Sequence, residues 1–99
     1  MTIEQRPNAC RVEFYGPARL YADARVIEVE LSEPSTLASL VRLLAERRPE
    51  LVGPVIRPDA RWLHAGYIFN RNGRDFLPDP AAIVQAGDRL LLLASAAGG

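Results

Sequence analysis

Few side chains in this sequence have the type and spacing to do chemistry by themselves. There is one cysteine, Cys10, and one histidine, His64. A lone cysteine excludes an internal disulfide, and with a single histidine it leaves no set of ligands for a structural zinc. No G-x-S-x-G elbow, glycine-rich phosphate loop or carboxylate pair flanked by histidine occurs. What remains is the end of the chain, Ser95-Ala96-Ala97-Gly98-Gly99. Five small residues cannot build a core, and the two glycines have the greatest backbone freedom. Extended, such a tail spans about 17 Å. It could thread a narrow channel in another protein, where a β-carbon on its last residues would clash. A frayed end is the competing reading of the same residues.

Composition narrows the function classes further. Of 99 residues, 48% are hydrophobic and 24% charged, the balance of a folded soluble domain. Twelve basic residues balance twelve acidic ones, so no electrostatic footprint for nucleic acid is expected. The apolar run Leu90 to Ala94 is too short to span a bilayer, and Met1 to Pro7 lacks the apolar core of a signal peptide. A cytoplasmic protein with no membrane partner is the expectation. All twelve basic residues are arginine. The missing lysines would spare an activated acyl group from attack by its own chain, although arginine-biased codon usage explains them more simply. A domain of this length has a radius of gyration of about 13 Å, which leaves little room for both a core and a deep pocket. A carrier, subunit or binding module fits better than a self-sufficient enzyme.

The elements that would position the tail follow from periodicity. Cys10, Val12 and Phe14 alternate with Arg11, Glu13 and Tyr15, as in a strand buried on one side. Gly16-Pro17 breaks it. After a connection through Tyr21 and Asp23, Ile27, Val29 and Leu31 alternate with Glu28 and Glu30, predicting an antiparallel partner. Pro34-Ser35-Thr36 offers a hydroxyl cap to a helix carrying Leu37, Leu40, Val41 and Leu44 on one stripe. That helix should end at Arg47-Arg48, before Pro49. Leu51 to Ala65 reads as a loop with a partly buried Trp62 or Leu63. Tyr67-Ile68-Phe69 and Asp75-Phe76-Leu77 flank the turn signal Asn70 to Arg74. Ala81 to Val84 is expected to form one helical turn. Arg89 to Ala94, apolar on both faces, is expected to be a central strand.

This order satisfies every buried stripe if a mixed sheet of four or five strands grips one main helix, with the first and last strands parallel in the centre. The fold class is α+β, the β-grasp or ubiquitin-like architecture. Residues 9–94 would form the domain, with residues 1–8 a flexible N-terminus and 95–99 a flexible tail. Cys10, on the inward face, is expected to be a small buried hydrophobe, and His64 an ordinary loop residue. Glu28, Glu30 and Glu33 are expected to be a solvated face. Tyr15, Tyr67 and Phe69 are candidates for an apolar docking patch on the uncovered sheet face.

Several segments carry a resemblance to a known family. Cys10 to Leu20, the helix entry Pro34-Ser35-Thr36-Leu37, Phe69 to Arg74, and Ala86-Gly87-Asp88-Arg89-Leu90 through to Gly98-Gly99 are together similar to the MoaD/ThiS sulfur carriers. Ala94-Ser95 departs from the proline often found there in that family. The resemblance implies that a ubiquitin-activating-type enzyme adenylates the Gly99 carboxylate with ATP and magnesium. Sulfur then displaces AMP to leave a thiocarboxylate for a sulfur-accepting synthase. Gly98, Ala97 and Ala96 would pass through the partner's channel. No cofactor or metal would be held tightly by the carrier itself. Two alternatives use the same residues: a protein modifier conjugated through Gly99, and an interaction subunit whose glycines are incidental.

Overall fold

The computed structural model describes residues 8–95. Seven strands, two α-helices and one 3-10 turn follow in the order β1 (Ala9–Phe14), α1 (Pro17–Ala22), β2 (Val26–Glu30), β3 (Ser35–Thr36), α2 (Leu37–Arg47), the 3-10 turn (Pro49–Leu51), β4 (Tyr67–Arg71), β5 (Asp75–Leu77), β6 (Ile83–Val84) and β7 (Arg89–Ala94). Five strands make the main sheet in the order β2-β1-β7-β4-β5. This is the expected mixed β-grasp sheet. The expected loose ends lie outside the described residues, apart from Asn8 and Ser95.

β7 occupies the centre because its sequence is apolar on both sides. It runs parallel to β1, with Val12 opposite Leu90 and Phe14 opposite Leu92. Its other edge pairs antiparallel with β4, Phe69 opposite Leu92 and Ile68 opposite Leu93. Val12, Phe14, Phe69, Leu90 and Leu92 point to one face and are buried there with Leu37, Leu40, Val41 and Leu44 of α2. The helix starts where its cap predicts: the Thr36 side chain accepts a hydrogen bond from the Ser39 amide at 3.2 Å. It ends at Arg47, whose guanidinium donates to the Glu28 carbonyl at 3.2 Å and ties α2 to the edge strand β2.

Two local readings are corrected and a third is sharpened. The connection after Gly16 contains a short helix, α1, which buries only Ala18 and Ala22. Two small residues four apart are too weak a stripe to stand out in a sequence; the sheet beneath them makes the helix. Residues 83–84 are not a helical turn but strand β6, paired with β3. The carbonyls of Ala82 and Pro80 accept from the amides of Leu37 and Ala38 at 2.8 and 2.9 Å, so this segment serves the first turn of α2 instead of coiling on itself. The stretch from Leu51 to Ala65 is a structured loop. Val55, Ile56 and Leu63 are buried, single bridges join Ile56 to Val52 and Leu63, and Trp62 packs on Phe69 with ring centroids 6.1 Å apart.

The β4–β5 turn is as the Asn-Gly pair predicts: Asn72 and Gly73 take φ of 57° and 72°. Asn72 also receives the Arg89 amide on its side-chain oxygen at 3.1 Å, fastening the turn to the start of β7.

The two faces of the sheet make a direct test of this packing. Phe69 is fully buried and Phe76, on the opposite face, is 60% exposed. Phe69→Ala is expected to cost about 3–5 kcal/mol in urea denaturation, and Phe76→Ala less than about 0.5 kcal/mol. Equal losses would contradict the assignment of faces.

Candidate functional site

The chemistry suggested by the sequence sits at the end of β7, so the site begins with what holds that strand. β7 is paired with β1 as far as Leu92 and with β4 as far as Ala94, and the Ser95 amide then donates to the Gly66 carbonyl at 2.7 Å. The chain therefore leaves the sheet from a fixed point. Ala96, Ala97, Gly98 and Gly99, the residues expected to do the work, lie outside the described residues. Ser95 lines the rim of a hollow of about 240 Å³ shared with Arg57, Trp62, His64 and Tyr67.

The sheet face away from α2 is the second component. Register places Val26, Glu13, Leu91, Asn70 and Phe76 in one row across all five strands. Leu93 and Ile68 form the next row towards the tail, with Tyr15 following Glu13 on the same side. Leu91, Leu93 and Ile68 are half-buried, and Phe76 stands clear. An apolar patch thus lies beside the point where the chain exits. Within it, the Asn70 side-chain oxygen is buried without a partner.

The patch is not the trio expected from the sequence. Tyr15 lies on the uncovered side, 37% exposed. Phe69 does not: pairing with Leu92 turns it to the helix side, where it is fully buried. Tyr67, two residues earlier, shares that side and is half-buried in the hollow by Trp62 and His64. Alternation along β4 sends Tyr67 and Phe69 to the side opposite Tyr15. The residues missed were Leu91, Leu93, Ile68 and Phe76. Their signal was present, since a strand apolar on both faces must send every second leucine outwards.

An ion-pair network edges the patch. Glu13 accepts from Arg89 Nε at 2.7 Å and from an Arg89 terminal nitrogen at 3.0 Å. It also accepts from Arg11 Nε at 3.1 Å and from the Tyr15 hydroxyl at 2.6 Å. The Arg89 hydrogen bonds foremost, with those from Tyr15 and the charge of Arg11 assisting, hold the Glu13 carboxyl down at about 2 against the penalty of its burial. The hydrogen bond to Glu13 foremost, with desolvation and the Glu13 charge, raises the pKa of Tyr15 against the opposing pull of Arg89. The network stitches β1 to β7 on the side that α2 does not cover.

Cys10 is fully buried, and that burial, reinforced by the Asp88 carboxylate, pushes its thiol up to about 12. A thiol at that value has almost no thiolate at neutral pH and acts as core. Arg71, near it, pairs with Asp88 at 4.0 Å and donates to the Ile83 carbonyl at 2.9 Å, bracing β6. Among the described residues no group of three or more His, Cys, Asp or Glu could hold a metal ion, and no helix is long and apolar enough to cross a membrane.

Two measurements check these assignments. Folded Glu13 binds its proton less readily than unfolded Glu13, so its contribution is complete above about pH 5 and is lost as the pH falls through 4.5 towards 2. Between those limits the wild type should lose about 2 kcal/mol more stability than Glu13→Gln. Parallel pH profiles would refute the network. Cys10 should react with a thiol reagent near pH 8 only as fast as the protein unfolds; rapid native-state labelling would contradict its burial.

Comparison with known proteins agrees with this geometry. The ThiS family model matches residues 12–99. No curated protein matches the sequence. Among solved structures, SAMP1 from Haloferax volcanii superposes with a TM-score of 0.76 at 22% identity, covering 92% of this chain and 99% of its own. A putative molybdopterin converting factor subunit 1 from Pyrococcus furiosus gives 0.66 at 19% identity, covering 87% and 95%. Urm1 from Trypanosoma brucei gives 0.60 at 19%, covering 97% and 100%. At these identities the structures show a shared ubiquitin-like fold, and the family match extends over all but the first eleven residues: the chain belongs to the ThiS family.

Proposed function

We propose that this chain is a sulfur carrier whose working group is the Gly99 carboxylate. The observation that carries the reading is the route of β7. A strand clamped on both edges brings the chain to Ser95 beside an uncovered apolar face, four residues before a Gly-Gly end. A partner that grips this face has the tail at a fixed starting point. About 13 Å of extended chain then reaches into its channel.

The chemistry follows from the poor electrophilicity of a carboxylate. In the partner enzyme, a Gly99 carboxylate oxygen attacks the α-phosphorus of ATP and pyrophosphate leaves. Hydrosulfide then adds to the activated carbonyl carbon, and AMP departs with the electrons of the broken carbon–oxygen bond. The remaining sulfur proton passes to solvent, and the product is a thiocarboxylate, anionic at neutral pH as an acidic thiol is. Magnesium and the nucleotide-binding groups belong to the adenylating enzyme. This chain contributes the carbonyl at Gly99, clearance at Gly98, the slender Ala96-Ala97 lead, and Leu91, Leu93, Ile68 and Phe76 as the docking surface. It is a reagent renewed by others, working with a sulfur-accepting synthase in the cytoplasm. Molybdopterin, thiamine, cysteine or a thiolated metabolite is the product class.

A second reading has its own support. Solved structures with this fold include proteins named as small archaeal modifiers from Haloferax volcanii and Methanosarcina acetivorans. The same activated Gly99 could be captured by a lysine amine of another protein. This chain has no lysine, so as a modifier it would add once to each target lysine without building chains on its own side chains.

Intact-mass spectrometry with ATP, sulfide and the cognate adenylating enzyme separates the readings. The carrier gains the mass difference of sulfur for oxygen; the modifier appears on other proteins. Deleting Gly98-Gly99 should abolish either outcome without unfolding the domain. Leu93→Asp should weaken adenylation about tenfold or more by placing a charge in the docking face. Full activity of the truncated chain would overturn the proposal.

A further inference from the structure

The β1–α1 connection carries a charge arrangement that neither the tail nor the docking face uses. A hollow of about 270 Å³ opens there, walled by Arg11, Tyr15, Arg19, Arg25 and Val26, with Glu13 at its edge. Glu13 is the one carboxylate lining it, and its oxygens are already occupied by Arg89, Arg11 and Tyr15. The guanidinium groups are not comparably engaged. Arg11 uses only Nε on Glu13, leaving its terminal nitrogens. Arg19 Nε is buried with no hydrogen-bond partner. Arg25 has no side-chain partner among the described residues. Two other acids are nearby: Asp23, in the adjoining hollow that Arg19 and Arg25 also line, and Glu28, opposite Arg11 across the β1–β2 pair. Four arginines, counting Arg89 on Glu13, therefore meet three carboxylates in one region of a chain whose formal net charge is zero.

We propose that this hollow binds a phosphate-class oxyanion, either free or as the phosphate group of a nucleotide. Guanidinium forks pair with oxyanions bidentately, and a tetrahedral anion has enough oxygens to accept from three forks at once. A protein carboxylate, with two oxygens, would leave at least one guanidinium unmatched. The buried Arg19 Nε is a donor kept from water without an acceptor, and an oxyanion within reach supplies one. Tyr15 contributes a wall and no further donor, because its hydroxyl proton is committed to Glu13. The hollow lies at the end of β1 level with the last residues of β7, since β1 and β7 are parallel. The site stands on these arginines and does not depend on the chemistry proposed for Gly99.

Nitrogen-15 NMR titration of the full chain tests it, with chloride holding ionic strength constant. Separate arms use inorganic phosphate and magnesium-free ATP. The expected result is saturable shifts of the Tyr15, Arg19 and Arg25 amides and of the arginine Nε resonances. Response to phosphate supports a free-anion site, and response to ATP alone supports a nucleotide site. Arg19→Gln and Arg25→Gln, each with an otherwise unchanged spectrum, should weaken binding about tenfold or more. Shifts that grow linearly like those of added chloride would overturn the proposal. So would unchanged affinity in both variants, or a response of these residues to a glutamate-rich peptide but to neither phosphate nor ATP.

Discussion

The parallel pairing of β7 with β1 is the constraint on which the rest depends. Parallel neighbours need a long crossover, and here everything between Phe14 and Arg89 is that crossover. It holds the helix that covers one face and the strands that flank the pair. Because β7 is central, both of its faces must be accommodated. Leu90 and Leu92 enter the core with Phe14, Phe69 and α2, while Leu91 and Leu93 are left on the side without a helix. The apolar patch is thus a consequence of the strand's position, and it lies beside Ser95, where the chain leaves that strand. A central strand can release its end at one place with little play, which a peripheral strand or loop would not do.

The polar contacts on the uncovered side serve the same pairing. Glu13 and Arg89 belong to the two central strands and meet in a bidentate ion pair, with Arg11 and Tyr15 closing around it. Partly exposed pairs of this kind contribute modestly to stability. Their effect on register is more direct, because slipping β7 by one residue would separate Arg89 from Glu13 and turn every leucine to the wrong face. The network also draws a boundary. On one side lies the apolar row from Leu91 to Phe76, and on the other the arginine-rich hollow at the start of α1.

Much of the fold was legible because its elements have strong periods. The alternations of β1 and β2, the stripe and caps of α2, the Asn72-Gly73 turn and the two-faced run of β7 each carry a local physical signal. The misreadings fell where the local signal is weak. α1 rests on two buried alanines, and β6 is two residues whose backbone is recruited by the first turn of α2. The loop before β4 was legible as a loop, but its closure by Val55, Ile56 and Leu63 depends on a core it meets only in the folded state. In the candidate site, the tail was identifiable from residue type. Tyr15, Tyr67 and Phe69 do not share a face, because residue type alone does not say which side of β4 each aromatic takes.

The amino-acid sequence by itself determined that a β-grasp satisfies the apolar stripes, and it placed a Gly-Gly pair at positions 98 and 99 with no G-x-S-x-G, phosphate-loop or zinc motif elsewhere. Those conclusions need only residue types and periods of two and 3.6, which are local properties of the backbone. Tertiary structure decided which residues share a surface. Phe69 lies in the core and Leu93 beside the chain's exit because of cross-strand register. Arg11, Arg19 and Arg25 converge because a short helix folds back between two strands. Register and convergence are set by pairing between distant segments, and no local pattern encodes them.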